Sequence, residues 1–97
     1  MAYRVVWSPK AVEDVEAIAA YIARDSPSYA AAVVQKVIEI TDELTQDATK
    51  GRLIPEIEES KVMEQFAYSY RLLYRIEGET VTVAALIHGK RLLYLTD

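Results

Sequence analysis

Ninety-seven residues, 52% of them hydrophobic and 27% charged, are enough for one small globular domain over residues 1–97 and exclude a disordered chain. A net charge of −4 argues against a protein whose main business is gripping phosphate backbones, and the lack of cysteine excludes disulfides and thiolate metal sites. The charge is uneven: residues 1–60 carry −5 and residues 61–97 carry +1. Nothing at the amino terminus reads as a signal peptide, and no apolar run approaches the ~18 residues of a membrane span, so the cytoplasm is the expected compartment.

Tyr3 to Trp7 is a short β-branched and aromatic run that predicts an opening strand. Ser8-Pro9 predicts a helix start, with Ser8 capping and Pro9 at the first helical position. Val12, Val15, Ile18, Ala19 and Ile22 then fall at helical spacing, and the helix is expected to end near Arg24-Asp25. Ser26-Pro27 repeats the signal and opens a second helix, buried through Ala30, Val33, Val34, Val37, Ile40 and Leu44. Its last turn carries Asp42, Glu43 and Asp47, the wrong sign for a carboxyl terminus, which suggests fraying or a partner surface. A loop over Thr49–Pro55 and an acidic cluster at Glu56, Glu58 and Glu59 lead into a strand expected over Lys61–Phe66.

The stretch that organises the chain is a hairpin. In Tyr70–Ile76, alternation puts Tyr70, Leu72, Tyr74 and Ile76 on a core face and Arg71, Leu73 and Arg75 on the other. Losing Leu72 or Tyr74 is therefore expected to be costly and losing Leu73 harmless. Glu77-Gly78-Glu79 supplies the turn, with Gly78 able to take a positive φ. Val81–Ile87 reads as a buried strand ending in His88-Gly89-Lys90-Arg91, and Leu92–Leu95 as a short strand end or apolar tail. The order β-α-α-β-β-β predicts an α+β fold, an antiparallel sheet with a helical hairpin packed on one face.

Trp7-Ser-Pro-x-Ala11, Asp14, Tyr21-Ile22-Ala23, Asp25-Ser-Pro27 and Ala30 resemble the first half of the RelE/ParE toxins of type II toxin–antitoxin (plasmid stabilisation) systems. Gly51-Arg52-x-x-Pro55-Glu56, Glu64, Tyr70-Arg71-Leu-Leu-Tyr74-Arg75 and His88-Gly89-x-Arg91 extend the likeness over nearly the whole chain. The resemblance implies a small bacterial toxin held inactive by a cognate antitoxin. The helical hairpin broken at Asp25-Ser-Pro27 looks more like the ParE branch, whose members poison DNA gyrase, than the RelE branch, whose members cleave mRNA on the ribosome. Family members often carry Arg-Glu where this chain has Met63-Glu64, so one cation of the usual set is missing.

Candidate site residues follow from chemistry. Cleavage of RNA by its 2′-hydroxyl needs a base, an acid and cations, which His88, Glu64, Arg71, Arg75 and Arg91 could supply. Equally, His88 can simply end a strand and bond to nearby backbone. Arg71, Leu73, Arg75, Lys90 and Arg91 are expected to form a cationic surface with an apolar centre, matched to an acidic antitoxin segment with apolar anchors. Tyr68, Tyr70, Tyr74 and Tyr94 could stack bases or serve as core. No metal or nucleotide-cofactor motif is present, so no cofactor is expected. Three readings stand: a gyrase-binding toxin, a ribosome-dependent mRNA endonuclease, and a toxin-like domain that has lost toxicity.

Overall fold

The computed structural model describes residues 2–54 and 61–91; the acidic cluster at Glu56–Glu59, Tyr94 and the segment Leu92–Leu95 lie outside them. The elements run β1 (Arg4–Trp7), α1 (Pro9–Ala23), α2 (Pro27–Leu44), a 3-10 turn (Ala48–Lys50), β2 (Arg52–Leu53), β3 (Met63–Ala67), β4 (Tyr70–Glu77) and β5 (Thr80–His88). They form the expected α+β fold, with strand order β1-β5-β4-β3-β2. The sheet is mixed. Strands β2 to β5 are antiparallel, but β1 runs parallel to β5 at its edge. The long connection that parallel pairing needs runs through the helical hairpin to β2 at the far edge and back across the sheet through β3 and β4.

Both helices begin as their sequences dictate. The Ser8 Oγ accepts from Ala11 N–H at 3.1 Å, and the Ser26 Oγ accepts from Tyr29 N–H at 3.1 Å, each with proline next in line. Ser8 also joins the layers: its backbone N–H donates to Val83 O at 3.0 Å and its hydroxyl to Ala84 O at 3.1 Å. On α1 the inward stripe is Ala11, Val15, Ile18 and Ile22; Val12, expected inside, is 42% exposed, a displacement of one residue around the helix. On α2 the expected Ala30, Val33, Val37, Ile40 and Leu44 are buried.

The hairpin β4–β5 explains why residues 81–87 are almost all apolar. Leu73 pairs with Ala85, yet Tyr74 pairs with Val83, so Ala84 is an extra residue, a β-bulge. The bulge reverses which β5 residues face the helices. Val81 and Val83 point into the helix-covered core before it, and Leu86 does so after it, whereas Ala85 and Ile87 turn to the opposite face. On β4, Tyr70, Leu72 and Tyr74 keep to the core face, as expected.

The opposite face is not solvated. Leu73 joins Ile54, Val62, Ala85 and Ile87 in a second cluster and is 5% exposed. Ile54 N–H donates to Val62 O at 3.0 Å, closing the chain over it. The expectation that Leu73 is an exposed, dispensable apolar residue is thus overturned. Among the described residues no helix is long and apolar enough to cross a membrane.

Leu72→Ala is expected to destabilise the domain by about 2–5 kcal/mol, and Leu73→Ala by an amount near the lower end of that range, because both leave cavities. Urea unfolding checks this; a negligible loss at Leu73 would show that the second cluster does not hold. Burial raises the Tyr70 and Tyr74 phenols above the ordinary 10.0. A raised phenol contributes stability that is full below pH ~10 and is lost as pH climbs toward the folded-state value. Stability should therefore fall above that pH, and Tyr74→Phe should lessen the fall, read by unfolding at stepped alkaline pH.

Candidate functional site

Paired strand residues share a face, so the register sorts the candidate residues onto two sides of the sheet. Glu64 lies opposite Leu73, and Phe66 opposite Arg71, which itself pairs with Ile87; these belong to the face away from the helices. His88 lies opposite Tyr70, on the helix-covered face. The acid and base that RNA cleavage would require are thereby put on opposite sides.

Each of the two is otherwise engaged. The Glu64 carboxylate is fully buried and accepts from Arg71 Nε at 2.6 Å on one oxygen and from Arg52 Nε at 2.6 Å on the other. Arg71 is 4% exposed and also donates to Arg91 O at 3.0 Å. Arg52 is 68% exposed and sits over the Phe66 ring, 5.9 Å from its centroid. This Arg52–Glu64–Arg71 set ties β2 to β3 and β4 and links β4 to the chain beyond β5. Its inner pair is a charge-assisted bond away from water, where removing one partner strands the other.

His88 packs edge-on against Tyr70, centroids 5.4 Å apart, and its Nδ1 accepts from Lys90 N–H at 3.1 Å. That is a strand-ending histidine bonded to local backbone. Gly89 completes the ending: its N–H donates to Ser69 O at 2.7 Å, and a Cβ there would lie 2.8 Å from that same oxygen. The His-Gly pair therefore has a sufficient structural reason, the docking of the end of β5 onto the β3–β4 turn.

The expected cationic surface is not one patch. Arg71 and Leu73 are buried, and the burial follows from the second cluster and from Glu64. Arg75 is exposed but pairs with Thr82, five residues along β4 from Tyr70 and thus roughly 17 Å from the His88 end. Lys90 and Arg91 are exposed at that end. The exposed apolar residue near cations on this face is Phe66, at 46%, beside Arg52. Alternation alone could not place Arg52 beside Glu64, because it is brought there by a two-residue strand that has no periodicity to read. Among the described residues no group of three His, Asp or Glu side chains could hold a metal ion.

The family model for the ParE toxin of the type II toxin–antitoxin system parDE matches residues 5–93. The chain belongs to the ParE toxin family. Solved structures agree on the fold. The chromosomal ParDE system of P. aeruginosa matches with TM-score 0.70 and 23% identity, over 90% of this chain and 96% of that one. The toxin–antitoxin complex RelBE2 of Mycobacterium tuberculosis matches with TM-score 0.63 and 23% identity, over 91% and 99%. The YoeB dimer of Staphylococcus aureus matches with TM-score 0.65 and 15% identity, over 91% and 98%. No curated protein sequence matches significantly. This ParE-family chain is thus a type II toxin, on a scaffold shared with RelE- and YoeB-type proteins.

Glu64→Ala is expected to cost roughly 3–5 kcal/mol, since it strips the buried Arg71 of its carboxylate. Arg52→Ala, at an exposed position, should cost about 1 kcal/mol or less. Urea denaturation of the two variants checks the contrast; equal losses would mean that the set does not depend on its buried half.

Proposed function

We propose that this toxin acts without catalysis, by binding and poisoning DNA gyrase, and that a cognate antitoxin neutralises it. The observation that carries this reading is the state of Glu64. Its two oxygens are taken up by two arginines in a buried site, while His88 lies across the sheet with its Nδ1 bound to backbone. A nuclease needs a titratable pair converging on one phosphate, and this arrangement offers none. The match to the ParE model and the likeness to a ParDE system support the same branch. The overall charge of −4 also fits a protein target better than a polyanion.

The antitoxin contact is expected on the face of the sheet away from the helices. Arg52 and Arg75 are exposed there, and Phe66 takes the place that Leu73 was expected to fill as apolar centre. Their complement is an acidic segment with spaced apolar side chains, ordered on binding.

Inducing the chain alone in a bacterial host should arrest growth, raise the DNA-damage response and inhibit supercoiling by purified gyrase, with ribosome-bound mRNA left intact. Translation arrest with fragmented mRNA and unaffected supercoiling would instead support the ribosome-dependent endonuclease. No arrest at all would point to a domain that has lost toxicity.

A further inference from the structure

The sheet has two tight hairpins, and they treat the same turn position differently. In β4–β5, Glu77 pairs with Thr80, and the first loop residue is Gly78 at φ 63. In β3–β4, Ala67 pairs with Tyr70, and the first loop residue is Tyr68 at φ 56. Two-residue hairpin loops require positive φ there, and glycine or asparagine is the usual occupant. A bulky side chain in that region is strained. Tyr68 gains little burial in return: it is 57% exposed, with one edge-on contact to Tyr29 at 5.9 Å. Lys61, at φ 59, is the other described non-glycine residue in this region, but it lies outside a tight hairpin; strain at a mostly exposed ring in such a turn makes Tyr68 a candidate functional position.

Tyr68 does not stand alone. The β3–β4 turn, the start of α2 and the ends of α1 and β5 meet at one end of the molecule. Tyr29 meets Tyr68 there, and Tyr21, which is 68% exposed, shares a groove with Tyr70, whose phenol is raised chiefly by burial and further by Tyr29 and Tyr21. A groove of about 340 Å³ opens there between α1 and β5, lined in part by Ile18, Tyr21, Tyr70, Leu86 and Arg91. Arg91 lines it, Arg24 and Lys90 are exposed at the ends of α1 and β5, and the described acidic residues at this end are Asp14 in the groove wall and the exposed Asp25 beside Arg24.

The opposite end is acidic. Tyr3 N–H donates to Thr45 O and Arg4 N–H to Glu79 O, which places the end of α2, with Asp42 and Glu43, beside the β4–β5 turn with Glu77 and Glu79. Arg4 and Lys50 stand among these carboxylates, so acid outweighs base at this end on balance, while base outweighs acid at the aromatic end.

We propose that this aromatic, cationic end is the surface with which the toxin grips its target, and that the target presents there a carboxylate-rimmed protein surface with an apolar side chain for the groove. Exposed tyrosines beside arginines are the composition of protein-binding hot spots. A phosphate chain fits less well, because Asp14 lines the same groove while it accepts from Leu86 N–H at 3.0 Å. The proposal rests on the reading of this chain as a target-binding toxin, but not on the target being gyrase.

The test uses Tyr68→Asn, which suits a positive φ, and Tyr21→Ser on the exposed side of α1. Each is compared with the full-length wild type for urea midpoint, growth arrest on induction, capture of purified gyrase and binding to a labelled single-stranded RNA. Expected are a urea midpoint that is raised for Tyr68→Asn, where the strain is relieved, and unchanged for Tyr21→Ser, with growth arrest that needs about tenfold more toxin or more in both. A lowered midpoint that accounts for the lost arrest would overturn the proposal, since the tyrosines would then be structural. So would undiminished arrest by well-folded variants, or RNA binding by wild type that both variants lose. If wild type fails to capture gyrase while the variants lose arrest, the gyrase reading falls and this surface stands. If gyrase capture is equal in all three, the surface falls and the gyrase reading stands. A wild type that causes no arrest overturns both.

Discussion

The pairing of β4 with β5 through the bulge at Ala84 is the constraint on which the rest of the molecule depends. Strands with one buried face alternate, and a bulge-free β5 would have to place either Val81 and Val83 or Leu86 away from the helices. One extra residue lets all three serve the main core, and it frees Ala85 and Ile87 to build the second cluster with Leu73. That two-sided burial gives a small domain more apolar area than a single helix-covered face could. It also sets the end of β5, since the register beyond the bulge places His88 opposite Tyr70 rather than on the face of Glu64.

The buried ion set gives Glu64 and Arg71 a structural task of their own. Glu64 and Arg71 form a short bond away from water, and Arg52 reaches in from the surface to the second carboxylate oxygen. Taking such groups out of water costs several kcal/mol per ion, so the gain lies in specificity of arrangement as much as in stability. Here the arrangement holds a two-residue strand, too short to persist by its own ladder, against the sheet edge. The arginine that helps hold β2 is therefore the one that stays exposed beside Phe66.

Much of the fold was legible because it is written in local chemistry. Ser8-Pro9 and Ser26-Pro27 start helices as read, Gly78 takes its positive φ, and Tyr70, Leu72 and Tyr74 point to the core. What could not be read depends on contacts distant in sequence. The bulge hides in a run where every residue is apolar, so no alternation betrays the change of face. The burial of Leu73 depends on Val62, just ahead of β3, and on Ile54, which comes from the stretch read as a loop. The parallel placing of β1 depends on the helical hairpin carrying the chain to β2 at the far edge of the sheet, from which β3, β4 and β5 step back to β1. Of the candidate residues, alternation placed Arg71 and Arg75 on one face but could not distinguish an arginine facing water from one facing Glu64.

A two-residue hairpin loop favours glycine or asparagine at its first position, so an aromatic residue there calls for a reason beyond the turn itself. The two hairpins make that comparison inside one molecule, at the same loop position, with φ 63 at a glycine and φ 56 at a tyrosine. Distance from the core cannot explain the difference, because both turns lie at sheet ends. Packing explains only part of it, since the ring of Tyr68 meets Tyr29 along one edge and leaves more than half its surface to solvent. Water gains nothing from a strained tyrosine. A surface that has to present a rigid aromatic ring does, because a side chain held by its backbone loses less freedom when a partner covers it.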